Sequence, residues 1–223
     1  EETEVDFILM GSANYAKETA QALGNKVIAV AEARKDAVAF VSPYRQAFLN
    51  DTASGTVTTY DIDTVTSNIV SFYAPITSST YGVLDSGYKY MYDRFNNVLR
   101  YVPLNGDIAG TCARTDIDQF PWFSPAGTAR GAILNAVKLA YTPGKKQRDI
   151  LYSNRINPVT LSPGAGIILY GDKTAFGKSS AFDRINVRRL FIYLEDAISA
   201  AAKDILFEFN DELTRTNFVN IVE

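Results

Sequence analysis

Histidine is absent from the 223-residue sequence, and cysteine occurs only once, as Cys112. Without histidine, no Ser-His-Asp triad, Cys-His dyad, histidine-ligated metal or imidazole pH switch can form within the chain. A single cysteine excludes intrachain disulfides and every zinc or redox motif that needs two cysteines. These two absences remove many of the common enzyme classes.

Long hydrophobic runs and an excess of positive charge are missing as well. The longest apolar runs, such as 27–31, fall far short of the ~18 residues typical of a membrane span. The net charge of −3 and the isoelectric point near 5.1 have the wrong sign for a general nucleic-acid binder. We therefore expect neither membrane insertion nor direct nucleic-acid binding.

The two ends of the sequence carry no processing or stop signals. Residues 1–4 are acidic and polar, without the basic and apolar regions of a signal peptide, and there is no initial Met. Residues 218–223 end inside an apolar pattern without a helix-stop signal. We therefore expect a core segment, truncated at both ends, of a longer chain made in the cytoplasm.

The first hundred residues alternate between strand-like and helix-like patterns. Short apolar runs at 5–10 and 37–41 predict buried strands, and the spacing over 15–34 predicts a helix between them. Asp61 can cap a second helix that Pro75 must end, and the polar stretch 51–59 is typical of a loop. This order favours an α/β arrangement.

The remaining sequence predicts a second part with strands and a long amphipathic helix. Asn96–Asn97 separates two strand-like runs and suggests a hairpin, whereas Gly106 and Gly110 bracket a predicted joint. Further candidates are strands at 136–141 and 166–170 and a helix at about 186–209. The predicted fold is α/β (or α+β), a mixed sheet flanked by helices, with domains at 1–108 and 109–223, the second incomplete at its C-terminus.

The long helix has an apolar stripe that we expect to be buried. Its members, spaced by three and four residues, are Val187, Leu190, Phe191, Leu194, Ile198, Ala201 and Ile205. Four charged residues off the stripe or at its border are candidate contacts with a neighbouring chain: Arg188, Arg189, Glu195 and Lys203. In the alternative, the arginine stems cover the edge of the core while their heads pair with carboxylates of the same chain.

A segment that looks like a phosphate-binding loop, 171–179, follows an apolar strand. A P-loop has four residues between its glycines, whereas five separate Gly171 from Gly177. An extra residue disrupts the set of backbone amides that must point at one phosphate. We interpret this segment as a strand-to-loop transition and expect no cofactor.

Other candidate sites have simpler explanations. Carboxylate pairs at Asp61 with Asp63 and at Asp116 with Asp118 supply too few ligands for calcium, so helix capping is the favoured role. Cys112 lies near Arg114 but has no second thiol or base, which favours a small core residue. The sequence leaves a Ser-Lys dyad or a carboxylate pair open as a catalytic site.

Five motifs between residues 110 and 191 carry a resemblance to a known family. Gly110–Asp116 resembles the Gly-x-x-Ala-Arg-x-Asp segment of phage contractile tail sheath proteins, and Trp-x-x-Pro-Ala follows at 122–126. Three more motifs follow in the order found in that family. They are an Ile-Asn pair at 156–157, Gly-x-x-x-x-Gly-x-x-Thr at 166–174 and Asn-Val-Arg-Arg-Leu at 186–190. The signature residues are Gly110, Arg114, Asp116, Trp122, Pro125, Asn157, Gly166, Gly171, Thr174 and Asn186.

The sequence is most similar to sheath proteins of T-even-like phages, with some departures. Cys112 stands where many relatives have an aromatic residue, and Gly127 stands where Asn is common. Residues 1–105 match the family only in their α/β pattern.

The resemblance implies a structural protein and not an enzyme. Sheath subunits polymerise as a helical sleeve around the tail tube, and contraction drives the tube through the host envelope. The implied partners are other sheath subunits, the tube protein, and baseplate and tail terminator proteins. The implied location is the virion tail, after assembly in the host cytoplasm, and we expect the isolated segment to be monomeric. The alternatives are a sheath-like subunit of another contractile injection system and a P-loop-like nucleotide-binding enzyme.

Overall fold

The computed structural model describes residues 5–13, 16–51, 57–203 and 205–222. The strands are β1 (Phe7–Leu9), β2 (Val38–Val41), β3 (Leu49–Asp51), β4 (Val57–Thr59), β5 (Gly82–Asp85), β6 (Tyr88–Asp93), β7 (Val98–Pro103), β8 (Lys138–Leu139), β9 (Ile156–Asn157), β10 (Val159–Ser162) and β11 (Gly166–Leu169). The helices are α1 (Lys17–Arg34), α2 (Ile62–Tyr73), α3 (Asn105–Asp118), α4 (Lys145–Ser153), α5 (Ile185–Lys203) and α6 (Glu212–Val222).

A four-stranded parallel sheet in the order β1-β2-β5-β9 forms the centre of the fold. Side chains of a strand alternate between its two faces, and β2 and β5 are buried along their whole length. Val38 and Phe40 join one apolar cluster, whereas Ala39 and Val41 join the other. The sheet is therefore covered on both sides, as parallel sheets require.

Helices supply the two outer layers. The first face packs against α1, α2 and α4, with Ile28, Ile69 and Leu151 among the buried residues. The second face packs against α3 and the first turns of α5, through residues that include Ile108 and Ile192. The predicted fold class, helices packed on a sheet with a long helix in the second part, is confirmed, but the central sheet is parallel throughout and not mixed as predicted.

Local sequence explains how the helices on the first face begin and pack. Asp61 caps α2 as predicted, because its carboxylate accepts hydrogen bonds from the amides of Asp63 and Thr64 at 3.1 and 3.0 Å. Hydrogen bonds from Thr64 lower the pKa of Asp61. Gly24 lets α1 approach the sheet closely, since a Cβ there would lie only 3.2 Å from Val41.

Smaller sheets complete the body. The predicted hairpin joins β6 to β7, with Asn97 in the left-handed region at φ 53°, and β8 pairs with the other side of β6. β10 and β11 form a second antiparallel hairpin, which confirms the strand predicted at 166–170.

Two predictions for the first half of the chain need correction. The described ends of the stretch 51–59 are strands and not a loop, because Asp51 ends β3, residues 57–59 form β4, and the two strands pair with Leu49 opposite Thr59. The β-branched residues of β4 favour a strand, and burial of Leu49 anchors its partner. The predicted joint at Gly106 and Gly110 lies inside α3, where burial of the opposite face outweighs the low helix propensity of glycine.

The division into domains at 108/109 would cut α3, and the division itself stays a prediction. The long helix is shorter than predicted, because α5 ends at Lys203. A new helix follows, since the Asp211 carboxylate accepts a hydrogen bond from the amide of Thr214 at 2.8 Å and so caps α6. The acidic N-terminus at 1–4, Tyr15 at the start of the first predicted helix and residues 52–56 of the predicted loop lie outside the described residues.

Candidate functional site

The family-signature residues lie in different elements, and several of them meet around the start of α5. Arg114 on α3 donates from Nη2 to the carbonyl oxygens of Arg130 and Ala132, at 2.7 and 2.8 Å. Asp116, one half-turn further along α3, accepts a charged hydrogen bond from Arg189 on α5. The first and last motifs therefore join α3 to α5.

The Trp-x-x-Pro-Ala element closes the same junction. The Trp122 ring stacks on Phe120 with centroids 4.6 Å apart and meets Tyr193 of α5 edge to face at 5.9 Å. The carbonyl oxygen of Trp122 accepts a hydrogen bond from the Asn186 side chain at 3.2 Å, and Pro125 is buried. This element holds the first turn of α5.

Asn157 organises the crossing of β9 with the segment that follows β11. Its fully buried amide donates to the carbonyl oxygens of Leu84 and Lys173, and its oxygen accepts from the Lys173 amide at 2.7 Å. A Cβ at Gly171 would lie 2.9 Å from that oxygen, so only glycine fits there. Thr174 then donates to the carbonyl of Phe182 at 2.9 Å and fixes the entry to α5.

The other two signature glycines have different explanations. Gly166 has a φ of 75°, in the left-handed region where glycine is favoured, at the start of β11. Gly110 is exposed in α3, and a Cβ there would meet open space. Packing within the chain does not explain Gly110.

Arg188 and Arg189 are buried, with exposed fractions of 8% and 7%. The Arg188 guanidinium lies between the rings of Tyr81 and Phe182, at 4.2 and 4.4 Å, and donates to the Thr80 hydroxyl at 2.8 Å. The Arg189 head pairs with a carboxylate of its own chain, Asp116, as in the alternative, whereas the Arg188 head contacts rings and hydroxyl groups and no carboxylate. A role for either arginine in contacts with a neighbouring subunit or with the tube stays a prediction.

The prediction that the apolar stripe of α5 is buried is wrong for this chain. Phe191, Leu194 and Ile198 are 40%, 40% and 39% exposed, and the other four stripe residues are half-buried. The helix instead buries a face that carries both arginines, because Asp116, Tyr81 and Phe182 provide partners for the guanidinium groups. Spacing identified the apolar side of the helix but not the side that meets the sheet.

The open surface continues beyond α5. None of the described residues of α6 is buried. Large exposed apolar side chains in this region are Leu206, Phe207, Phe209, Leu213, Val219, Ile221 and Val222. Glu195 and Lys203, the other predicted contacts, are also exposed. We call the stripe residues of α5 together with these seven side chains the α5–α6 surface.

A cluster that sequence reasoning did not find supports the entry to α5. Arg184 donates from Nη1 to Asp172 at 2.6 Å and to the Tyr152 hydroxyl at 2.5 Å, while Ser124 reaches the same carboxylate at 3.1 Å. No motif spacing links these residues, so only the tertiary structure reveals them.

The glycine segment 171–179 uses its amides within the chain. The amides of Lys173, Thr174, Ala175 and Gly177 donate to protein oxygens at 2.7 to 2.8 Å. They are therefore turned away from any single phosphate position, which agrees with the interpretation as a strand-to-loop transition.

Cys112 and Asp85 are both buried titratable groups, but only the core position of Cys112 was predicted from the sequence. Cys112 is a small core residue as favoured, and burial raises the pKa of its thiol to about 12, so it is not nucleophilic. Asp85, which sequence reasoning missed, ends β5 and accepts hydrogen bonds from the Ser42 hydroxyl and the Gly87 amide. Burial raises the pKa of Asp85 to about 8.

The described ranges hold neither a metal-binding cluster nor a membrane-spanning helix. No group of three or more Asp, Glu or Cys residues there is arranged to hold a metal ion. No helix in those ranges combines the length and hydrophobicity needed to cross a membrane.

Comparison with known proteins links this architecture to tail sheaths. The chain is 43% identical over 228 aligned residues to the tail sheath protein of Enterobacteria phage T4, covering 98% of this chain and 33% of that protein. It is 47% identical over 199 residues to the tail sheath protein of Vibrio phage KVP40, covering 87% and 30%. The chain thus spans about a third of the length of these curated relatives.

Solved structures with a similar fold come from contractile assemblies. The helical sheath of the anti-feeding prophage in its contracted state matches with a TM-score of 0.69 at 18% identity, over 96% of this chain and 52% of that one. The contracted PVC sheath complex of an extracellular contractile injection system matches with a TM-score of 0.67 at 17% identity, over 100% and 53%. At these identities the likeness concerns the fold.

The family model of the phage tail sheath protein central domain matches residues 1–175, more than half of the chain. The chain therefore belongs to the phage tail sheath protein family.

Proposed function

We propose that this chain is a structural part of a contractile phage tail sheath and not an enzyme. The sheath polymerises around the tail tube and contracts to drive the tube through the host envelope. Family membership supports the proposal, as does the sequence identity to phage tail sheath proteins over nearly the whole chain.

The observation that carries the proposal is the exposed α5–α6 surface. Ten of its side chains are large, apolar and exposed, and groups of exposed apolar side chains mark contacts between proteins. The signature residues Asp116, Trp122 and Asn186 form contacts that anchor the start of α5 to the rest of the chain. A subunit of a polymer needs both an exposed contact surface and a firm attachment of that surface to its own fold.

The partners in this proposal are other sheath subunits, the tube protein, and the baseplate and tail terminator proteins. Heterologous contacts that do not close produce a helical polymer, and a polymer with two discrete contact arrangements can contract. The sheath is assembled in the host cytoplasm and remains in the virion tail. No nucleotide, metal or catalytic residue is needed, because the energy is stored in the assembled contacts.

The test uses antibodies raised against the purified chain. In immunogold electron microscopy of the virus that encodes it, we expect label along the whole outer sleeve of the tail. Label on the capsid, on the tube alone or on no part of the particle would contradict the proposal. Isothermal titration calorimetry with ATP and GTP tests the enzyme alternative, which stoichiometric binding in the micromolar range would favour.

A further inference from the structure

An open cleft lies beside the outer half of the β6–β7 hairpin. Its volume is about 750 Å³, which is typical of sites that hold drug-sized ligands. Its apolar lining residues are Met91, Tyr92, Phe95 and Val102. Tyr92 and Phe95 are 51% and 85% exposed, so folding of the chain leaves this lining uncovered. We call this site the hairpin cleft.

Two arginines also line the hairpin cleft, and they differ in their ion pairing. Arg100 pairs with Asp93 at 3.0 Å, so its charge is already compensated. Arg94 is exposed and forms no ion pair with any described residue, and its guanidinium lies 4.9 Å from the ring centroid of Phe95. A guanidinium pairs with carboxylates and stacks on aromatic rings. The cleft therefore suits a segment that combines aromatic side chains with one carboxylate.

The turn between α5 and α6, residues 205–209, has this composition, and we call it the aromatic turn. Leu206, Phe207 and Phe209 are 69%, 95% and 85% exposed. Glu208 is exposed between the two phenylalanines and forms no ion pair with any described residue. The amide of Glu208 donates to the carbonyl oxygen of Ile205 at 3.1 Å, so the main chain bonds locally while the side chains project into solvent.

The hairpin cleft and the aromatic turn lie at opposite ends of one chain. The hairpin begins at the carboxyl edge of the central sheet, because β6 directly follows β5. The middle of α5 lies at the amino edge, where Arg189 and Asp196 surround one pocket with Asp6 and Asp36, the residues that precede β1 and β2. From Arg189 the helix continues for about 21 Å to its end at Lys203. A chain therefore cannot fill its own cleft with its own aromatic turn.

We propose that the aromatic turn of one copy inserts into the hairpin cleft of the next copy. Phe207 and Phe209 pack against the apolar lining, and the Glu208 carboxylate accepts hydrogen bonds from the Arg94 guanidinium. The contact is head to tail, so the two ends of a row of subunits stay open and the row can grow. This inference rests on the proposed function and names the polypeptide that covers the middle of the α5–α6 surface.

A contact of this size is weak on its own. Stable interfaces bury about 800 Å² from each partner, over about 20–30 residues a side, and a five-residue turn supplies far less. The isolated chain should therefore remain largely monomeric in solution. The contact becomes persistent in a polymer, where other contacts hold the same two copies together.

Disulfide trapping captures such transient contacts, and the background is low because Cys112 is buried. Val98 is exposed and lies on the same face of β7 as Arg100, which lines the cleft, and Asn210 is exposed next to the aromatic turn. The double variant Val98→Cys with Asn210→Cys should form a ladder of covalent oligomers under mild oxidation. A mixture of the two single variants should stop at dimers.

The matched control is Val98→Cys with Ala29→Cys, because Ala29 is an exposed helical residue on α1, away from the aromatic turn. Docking raises the local concentration of the two thiols, so we expect the ladder to form about tenfold faster than in this control. Equal rates in the two double variants, or equally fast dimers from either single variant alone, would overturn the inference.

A charge swap tests the pairing of Glu208 with Arg94. In the double-cysteine variant, Glu208→Lys should slow the ladder about two- to fivefold, because it brings two cations together. Adding Arg94→Glu should restore the parent rate, whereas Glu32→Lys, an equal charge change at an exposed position on α1, should leave the rate unchanged. These positions are exposed, so the thermal unfolding midpoints should match that of the parent.

A swap that fails to restore the rate, or an equal slowing by Glu32→Lys, would contradict the assigned contact. If the ladder is absent while immunogold label still follows the tail sleeve, the contact is rejected and the proposed function stands.

Discussion

The central sheet and the C-terminal helices contrast in how far each buries its own apolar residues. In β2 and β5 every residue is buried, and two apolar clusters cover the faces of the sheet. In α5 burial is confined to Ile185, Arg188, Arg189 and Ile192, and no described residue of α6 is buried. The sheet is thus complete within the chain, whereas the helices present a surface suited to another polypeptide.

The largest effect should come from reversing a charge at the point where the two regions meet. Arg189→Glu would place a carboxylate beside Asp116 in a buried position. Because breaking a buried ion pair leaves an uncompensated charge, we expect a loss of about 3–5 kcal/mol in the free energy of unfolding, measured in urea. The exposed control, Lys203→Glu, should change it by about 0.5 kcal/mol or less.

This variant also separates the two roles predicted for the arginines. If Arg189 acts only between subunits, the isolated chain should keep its stability and lose only assembly. Wild-type stability of Arg189→Glu would therefore contradict the packing described here.

A matched pair of leucines tests the contrast directly. Leu84 in β5 is fully buried and Leu194 on α5 is 40% exposed. Leu84→Ala should cost about 2–5 kcal/mol through lost burial and a cavity, whereas Leu194→Ala should cost about 0.5 kcal/mol or less. Similar losses for both, measured by chemical unfolding of the isolated chain, would show that α5 packs its apolar stripe inward.

Asp85 should make the stability of the sheet depend on pH. Its pKa is raised from 3.8 in the unfolded state to about 8 in the folded state, so the folded protein binds the extra proton between these values. The contribution of protonated Asp85 to the free energy of unfolding is fully present below pH 3.8 and is lost as pH rises through 8. The free energy of unfolding falls by at most about 1.4 kcal/mol per pH unit over this range.

The measurement is urea unfolding at several pH values from 5 to 9. Asp85→Asn should show a flatter dependence than the wild type, because it keeps a neutral side chain of nearly the same shape. Identical slopes for the two proteins would mean that Asp85 does not titrate in this range.

The sequence predicted two of the four strands of the central sheet and two of the three helices on its first face, because local signals specify β1, β2, α1 and α2. Apolar runs marked β1 and β2, Asp61 marked the start of α2, and Asn97 supplied the hairpin geometry. The prediction of a joint at Gly106 and Gly110 was wrong, because tertiary contacts override the low helix propensity of glycine inside α3.

The orientation of α5 was beyond sequence reasoning for a related reason. Spacing locates an apolar stripe, but which face meets the sheet depends on partners distant in sequence, such as Tyr81 and Asp116. Motif order was more informative, since the signature residues Trp122, Asn157 and Gly171 form contacts that fix α5 or the segment before it.

The central claim is that the α5–α6 surface is covered by another polypeptide in the assembled sheath. The most direct measurement is the labelling rate of Ile198→Cys with a soluble thiol reagent, in the isolated chain and in particles assembled from the same variant. Ile198 is 39% exposed and Cys112 is buried, so labelling of the isolated chain should be rapid and specific. We expect strong protection in the assembled particles, and equal labelling rates in the two states would contradict the account.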